Sequence, residues 1–284
     1  MNRSSVKFTI LLLLAVFFNG CMSSNTIIKV KPDGSGTIEE TVLMGKQFVQ
    51  QMKAMMGQMK AQMPEGQDQG SAPTEMFNLY NIEKIKAKAK DLGEGVTYVE
   101  SSEVVNETHE GYKAVYAFTD INNLKFNQNP GGNVPSGPGG TSNPNNEYVT
   151  FNFTKGDPSL LVIIPPKDNG ENEAEIEENV AEDTSDAPEP GEAEMAQMKQ
   201  MFDGMKIALY LEIDGEIVKT NATHVDKNRI TIMEMDFGEL IQNAEKFKEY
   251  AKAKPKTVEE SKELMKDMPG IKIDLNEKME VQFK

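Results

Sequence analysis

The chain has 284 residues, 38% of them hydrophobic and 26% charged, an ordinary balance for a folded globular protein. Its 45 acids against 30 bases give a net charge of −15, which excludes the basic footprint of a nucleic-acid binder. One cysteine and two histidines exclude a disulfide framework and a multi-cysteine zinc or iron–sulfur centre.

The N-terminus reads as an address. Arg3 and Lys7 precede Phe8–Phe18, an apolar run of eleven residues without a charge. That is short of the ~20 residues a helix needs to span a bilayer, and it matches the apolar stretch of a secretory leader. Asn19, Gly20 and Cys21 follow. A small residue directly before the single cysteine, at the end of a leader, resembles a bacterial lipoprotein lipobox. The resemblance implies a signal peptide over 1–20, an exported chain over 21–284, and acyl chains such as palmitate on Cys21. Each buried methylene of such a chain contributes ~0.8 kcal/mol of membrane affinity. Cleavage removes Arg3 and Lys7 and no acid, so the charge of −15 becomes −17. Anionic headgroups repel a body of that charge, so the membrane is engaged through the acyl chains. Met22 in place of Asp after the cysteine reads as outer-membrane sorting in a diderm cell. Strand-like residues begin at Thr26, which predicts a tether of ~15 Å from Cys21 at ~3.4 Å per residue.

The exported part opens with a hairpin over 25–44. Period-two alternation flanks the turn Pro32-Asp33-Gly34-Ser35-Gly36. Residues 46–63 then switch to helical period, with Phe48, Val49, Met52, Met55, Met56, Met59 and Met63 on one face before Pro64. A second helix is predicted over 75–91, then strands over 96–105 and 111–119 around the turn 106–110. Fifteen of the twenty residues in 127–146 are Gly, Pro or Asn, a composition that builds no core. Strands resume over 147–154 and 159–164. Residues 167–193 form an acidic insertion in which Asp168–Ala193 carries eleven acids and no base, a solvated and self-repelling run.

In the last third, a short helix over 194–203 bears Met195, Met198 and Met201 and leads to Met205. A three-strand meander is expected from 206–213, 216–223 and 229–235, with Asp214-Gly215 as its first turn. Helix 237–252 places Leu240, Ile241, Ala244, Phe247 and Ala251 on one face. Thr257 and Glu260 form a capping box for the next helix, and Lys278–Phe283 reads as an edge strand. Meanders of strands with helices between them give an α+β fold with a largely antiparallel sheet. Both low-complexity stretches are insertions in a single domain, since a long loop adds little closure entropy. Two small domains divided at the acidic run are the alternative.

The lipobox cysteine, the hairpin Ile27–Met44 and the late strands IDGEIVKTNAT and RITIMEMDF within Leu211–Phe237 together resemble the LppM-type bacterial lipoproteins. The chain departs from them in having no Trp, no Pro-Gly ahead of Ile217-Val218, and two additional insertions. The resemblance implies an exported α/β body, anchored by lipid, that engages membrane glycolipids. It transfers no functional residue.

The motifs of common enzymes are absent: no H-E-x-x-H, G-x-S-x-G, G-x-x-x-x-G-K or C-x-x-C. His109 and His224 fall in predicted turns without companion ligands at metal-binding spacing. Acids are too abundant for spacing to nominate a catalytic pair. Eighteen methionines are the compositional oddity. The stripe Met52, Met55, Met56, Met59 and Met63 reads three ways: ordinary core, an adaptable groove for an apolar ligand or partner helix, or thioether ligands for Cu(I). The expected function is non-enzymatic and cofactor-free: an exported, membrane-anchored lipoprotein whose methionine face binds an apolar or amphipathic ligand or an envelope protein. The alternatives are Cu(I) handling and an enzyme with an unrecognised acidic site.

Overall fold

The computed structural model describes residues 22–50, 53–54, 79–127, 148–166, 202, 204–243, 245–246, 258–266 and 268–284. It is an α+β fold dominated by antiparallel strands, as the sequence predicts. The strands are β1 (Met22–Val30), β2 (Gly36–Gly45), β3 (Thr97–Val105), β4 (His109–Phe118), β5 (Lys125–Asn127), β6 (Tyr148–Thr154) and β7 (Ser159–Ile164). They continue with β8 (Lys206–Ile213), β9 (Ile217–Thr220), β10 (Val225–Asp226), β11 (Arg229–Asp236), β12 (Ile271–Ile273) and β13 (Met279–Phe283). The helices are α1 (Ile82–Asp91), α2 (Phe237–Gln242) and α3 (Val258–Met265).

A large sheet has the order β10-β11-β8-β1-β2-β4-β3, with β12 also on β11, and a smaller sheet has the order β5-β6-β7-β13-β9. β1 is an interior strand, antiparallel to β2 and parallel to β8. The opening hairpin turns as its composition dictates. The Asp33 carboxylate accepts from Ser35 N and Oγ at 3.0 and 2.7 Å, and these bonds hold it below the usual carboxylate range. Gly34 takes φ +85°, and the Phe153 ring lies 2.6 Å from where a Cβ would stand, so only glycine fits there.

Alternation along each strand sends one set of side chains between the sheets. Ile28, Ile38, Leu211 and Ile230 of the large sheet share one buried cluster with Phe151, Leu161, Ile163, Val281 and Phe283 of the small one. α1 covers part of the same face with Ile85 and Ala89, and its C-cap Leu92 lies in that cluster too. Strands from both sides of the acidic insertion are paired with each other, β1 with β8 and β7 with β13.

Several expectations need correction. The strand does not wait until Thr26: Met22 is already paired with Met44, so no tether separates Cys21 from the sheet. The expected meander fails, because β8 pairs directly with β11 while β9 crosses to the small sheet beside β13. Asp214-Gly215 is therefore a crossing point and not a hairpin turn. A Cβ on Gly215 would collide with the Lys284 carbonyl oxygen, which instead accepts from Glu216 N at 2.8 Å. β13 is not an edge strand. It lies between β7 and β9, and its inward residues Met279, Val281 and Phe283 are wholly buried.

Two helices differ in length from expectation. α1 starts at Ile82 and not near residue 75, because Asn81 caps it by accepting from Lys84 N at 3.1 Å. α2 starts as predicted, capped by Asp236, and is interrupted at Asn243, whose backbone N–H donates to the Glu239 and Leu240 carbonyls; residues 245–246 are helical again, and the rest of the 237–252 helix lies outside the described residues. Residues 46–50 and 53–54 are helical, while the remainder of the 46–63 helix lies outside the described residues, as do Ala244, Phe247, Ala251 and Thr257.

Candidate functional site

The interior strand β1 passes through three kinds of surroundings. At its far end Ile28 and Val30 stand in the main core between the sheets. At its near end Met22 belongs to a second, smaller apolar cluster with Met44 and Val49, against which Phe48 and Met205 pack. Between the two, Thr26 faces Glu40 across the β1–β2 pair, and both are buried. The core thus changes from apolar to polar and back to apolar along one strand.

Glu40 is the centre of the polar layer. Its Oε1 accepts from Lys88 Nζ of α1 at 2.5 Å and from the Tyr112 hydroxyl of β4 at 3.2 Å. Burial, followed by the nearby Glu40 charge, pushes the Tyr112 hydroxyl far above the usual tyrosine range. Tyr116, four residues further along β4, is held protonated for the same reasons and donates to the Ile85 carbonyl of α1 at 2.9 Å. The two bonds to Lys88 and Ile85 fix α1 across the sheet. A carboxylate taken from water is tolerated here because a cation and a hydroxyl both bind it.

A second acidic centre lies on the other face of the large sheet. Glu234 of β11 accepts from the Tyr210 hydroxyl of β8, and Lys206 and Lys272 lie 3.1 and 3.4 Å from its Oε1. Burial pushes this carboxyl up, but the Tyr210 and Lys206 hydrogen bonds and the two lysine charges outweigh it and leave the group below its ordinary value. Burial, then the bond to Glu234, pushes the Tyr210 hydroxyl up. Arg229 stands 5.3 Å from the Tyr210 ring centre and donates to Glu212 at 2.9 Å. Each acid is spent on partners within the fold.

The residues singled out by sequence are distributed unevenly. Cys21 and the stripe Met52, Met55, Met56, Met59 and Met63 lie outside the described residues, as do Met195, Met198 and Met201. Their described neighbours converge: Met22 follows Cys21, Phe48 and Val49 lead toward Met52, and Met205 follows the 194–203 segment, and these four pack in one cluster. His109 opens β4, with Thr108 Oγ1 at 2.8 Å from its Nδ1, and His224 accepts through its carbonyl from Thr231 N. Among the described residues no group of three or more His, Cys, Asp or Glu is placed to hold a metal ion. Among them also, no helix is long and apolar enough to cross a membrane.

Sequence reasoning missed Glu40 and Glu234. For Glu40 a signal existed: in TIEETVLM it falls in step with Ile38, Val42 and Met44, a charge on the face that alternation sends inward. Its partners Lys88 and Tyr112 lie 48 and 72 residues away and carry no local mark.

No family model matches the chain, and no curated protein matches it. Among solved structures the chain is similar to the folded domain of LppM from Mycobacterium tuberculosis, determined by NMR, at 10% identity and a TM-score of 0.31. That similarity covers 94% of this chain and 92% of the other.

Proposed function

We propose that this protein is an exported lipoprotein, acylated on Cys21, that acts without catalysis at a membrane surface and binds an apolar or amphipathic ligand or an envelope protein through the segment carrying Met52–Met63. The observation that supports this most is the second apolar cluster. It gathers, at one end of the large sheet, the residue after Cys21, the residues that lead into one methionine-bearing segment and the residue that follows the other. Methionine side chains are unbranched and polarisable, so a surface built from them adapts to acyl tails or to a partner helix. The chain carries a strong negative charge, so attraction to anionic headgroups does not supply the attachment and acyl chains do.

Two substitutions separate the parts of the reading. Cys21→Ser is expected to release the protein from membranes while its melting temperature stays unchanged. Met55→Asp with Met59→Asp is expected to leave the fold intact and to abolish capture of fluorescent fatty-acyl probes by the acylated chain. If the double variant unfolds instead, the stripe is core and the binding role is lost. Retained capture by a folded double variant contradicts the role directly.

A further inference from the structure

We infer that the protein is held on the bilayer in one orientation, with the rim formed by Met22, Gly45, the 106–108 turn and Lys206 against the headgroups and the 31–35 turn directed away. This rests on the acylation of Cys21 proposed above and adds which face meets the lipid. The argument begins with slack. An anchored domain tumbles above its membrane when a flexible linker joins it to the anchor, and here no residue intervenes. Met22 is paired with Met44 on one side, and Ser23 with Lys206 on the other. Freeing residues of β1 as a linker would therefore break two ladders of an interior strand at once.

In the sequence Cys21 immediately precedes Met22, the first residue of β1 at this rim, and the apolar run Phe8–Phe18 ends three positions before that cysteine. Consecutive Cα atoms are ~3.8 Å apart, so acyl chains leaving Cys21 bring the headgroup layer to within a few ångströms of the end of β1. The nine residues of β1 then carry the chain away from it. At ~3.4 Å per residue the 31–35 turn stands ~30 Å from the membrane end.

Side chains at the rim fit a headgroup layer approached through lipid and not through charge. Lys46 Nζ donates to the Asn106 carbonyl, and Lys206 is paired with Glu234, so these two cations are engaged within the fold. Val105, at the same end of the edge strand β3, is 59% exposed. Glu107 in the adjoining turn and Lys31 at the opposite end are both exposed.

Because Cys21 is the single cysteine and carries the lipid, one added cysteine gives one labelling position. The full acylated chain, as Glu107→Cys or as Lys31→Cys, is labelled with an environment-sensitive fluorophore. It is then bound to phosphatidylcholine vesicles that carry a headgroup-attached quencher. Both positions lie in exposed turns, and an unchanged melting temperature verifies each fold. The expected result is loss of fluorescence at residue 107 and none at residue 31. Equal quenching, or stronger quenching at residue 31, from vesicle-bound protein overturns the orientation and leaves the anchor standing. A chain that stays in the aqueous phase overturns the anchor itself.

Discussion

The two ends of β1 compare instructively. The far end is gripped between two sheets, where Ile28 and Val30 meet a large cluster that includes Phe151, Leu161, Val281 and Phe283. Among the described residues the near end buries Met22, Met44 and Val49, with Phe48, Leu79 and Met205 beside them. Long-range pairing dominates the far end, since β7 and β13 are brought together from positions 159–164 and 279–283. Flexible thioethers fill much of the near end, and such residues fill space without specifying it tightly. The stiff end suits stability, and the soft end suits a surface that must adapt.

The largest expected effect falls on the stiff end. Phe283→Ala removes a wholly buried ring from a strand with partners on both sides, and should cost about 3–5 kcal/mol in denaturant unfolding. A loss below about 1 kcal/mol would mean that the small sheet contributes little to the core.

Next comes the polar partition. Glu40→Leu strands Lys88 and the Tyr112 hydroxyl and should cost about 2–3 kcal/mol, less than a fully buried pair because Lys88 keeps 23% of its side chain exposed. Adding Lys88→Met and Tyr112→Phe should recover most of that loss, since the layer becomes uniformly apolar. A triple variant no better than the single one would show that the layer does not act as a unit.

At the soft end Met44→Ala should cost about 2 kcal/mol, the low end for a buried methionine, because a small cluster relaxes more easily. Met44→Leu should cost less than about 1.5 kcal/mol. Equal penalties for Met44→Ala and Phe283→Ala would erase the contrast between the ends.

The smallest effect is on pH dependence, and its sign differs with the group. Tyr112, Tyr116 and Tyr210 titrate above their ordinary range in the folded state. Their contribution is therefore complete below the unfolded tyrosine value of about 10 and is lost as pH rises beyond it. Glu234 titrates below its ordinary range, so its contribution is complete above the unfolded carboxylate value of about 4.3 and is lost as pH falls through the folded value. Unfolding midpoints followed from pH 8 to 11 should drop less in Tyr112→Phe than in the parent, and those from pH 5 to 2 should drop less in Glu234→Gln.

Local features of the fold were legible in the sequence. The hairpin turn Asp33-Gly34, the alternation of β4, β6 and β7, and the Asp236 start of α2 all follow from short-range chemistry. Strand partnership was not, because it depends on distant residues. Lys278–Phe283 looks half-polar and hence peripheral, yet Glu280 and Gln282 simply point away from the core while β7 and β9 cover both edges. IDGEIVKTNAT looks like a hairpin, yet Gly215 serves a close approach to the C-terminal residue. Of the candidate site, the cysteine and the methionine stripe came from the sequence, whereas the small cluster of Met22, Met44 and Val49 required β1, β2 and β8 to end at one rim.

The measurement that bears most directly on the account is the intact mass of the protein extracted from native membranes. A polypeptide beginning at Cys21 and heavier by its acyl chains is the predicted result. A chain with a free thiol at Cys21, or one that begins at another residue, would contradict it.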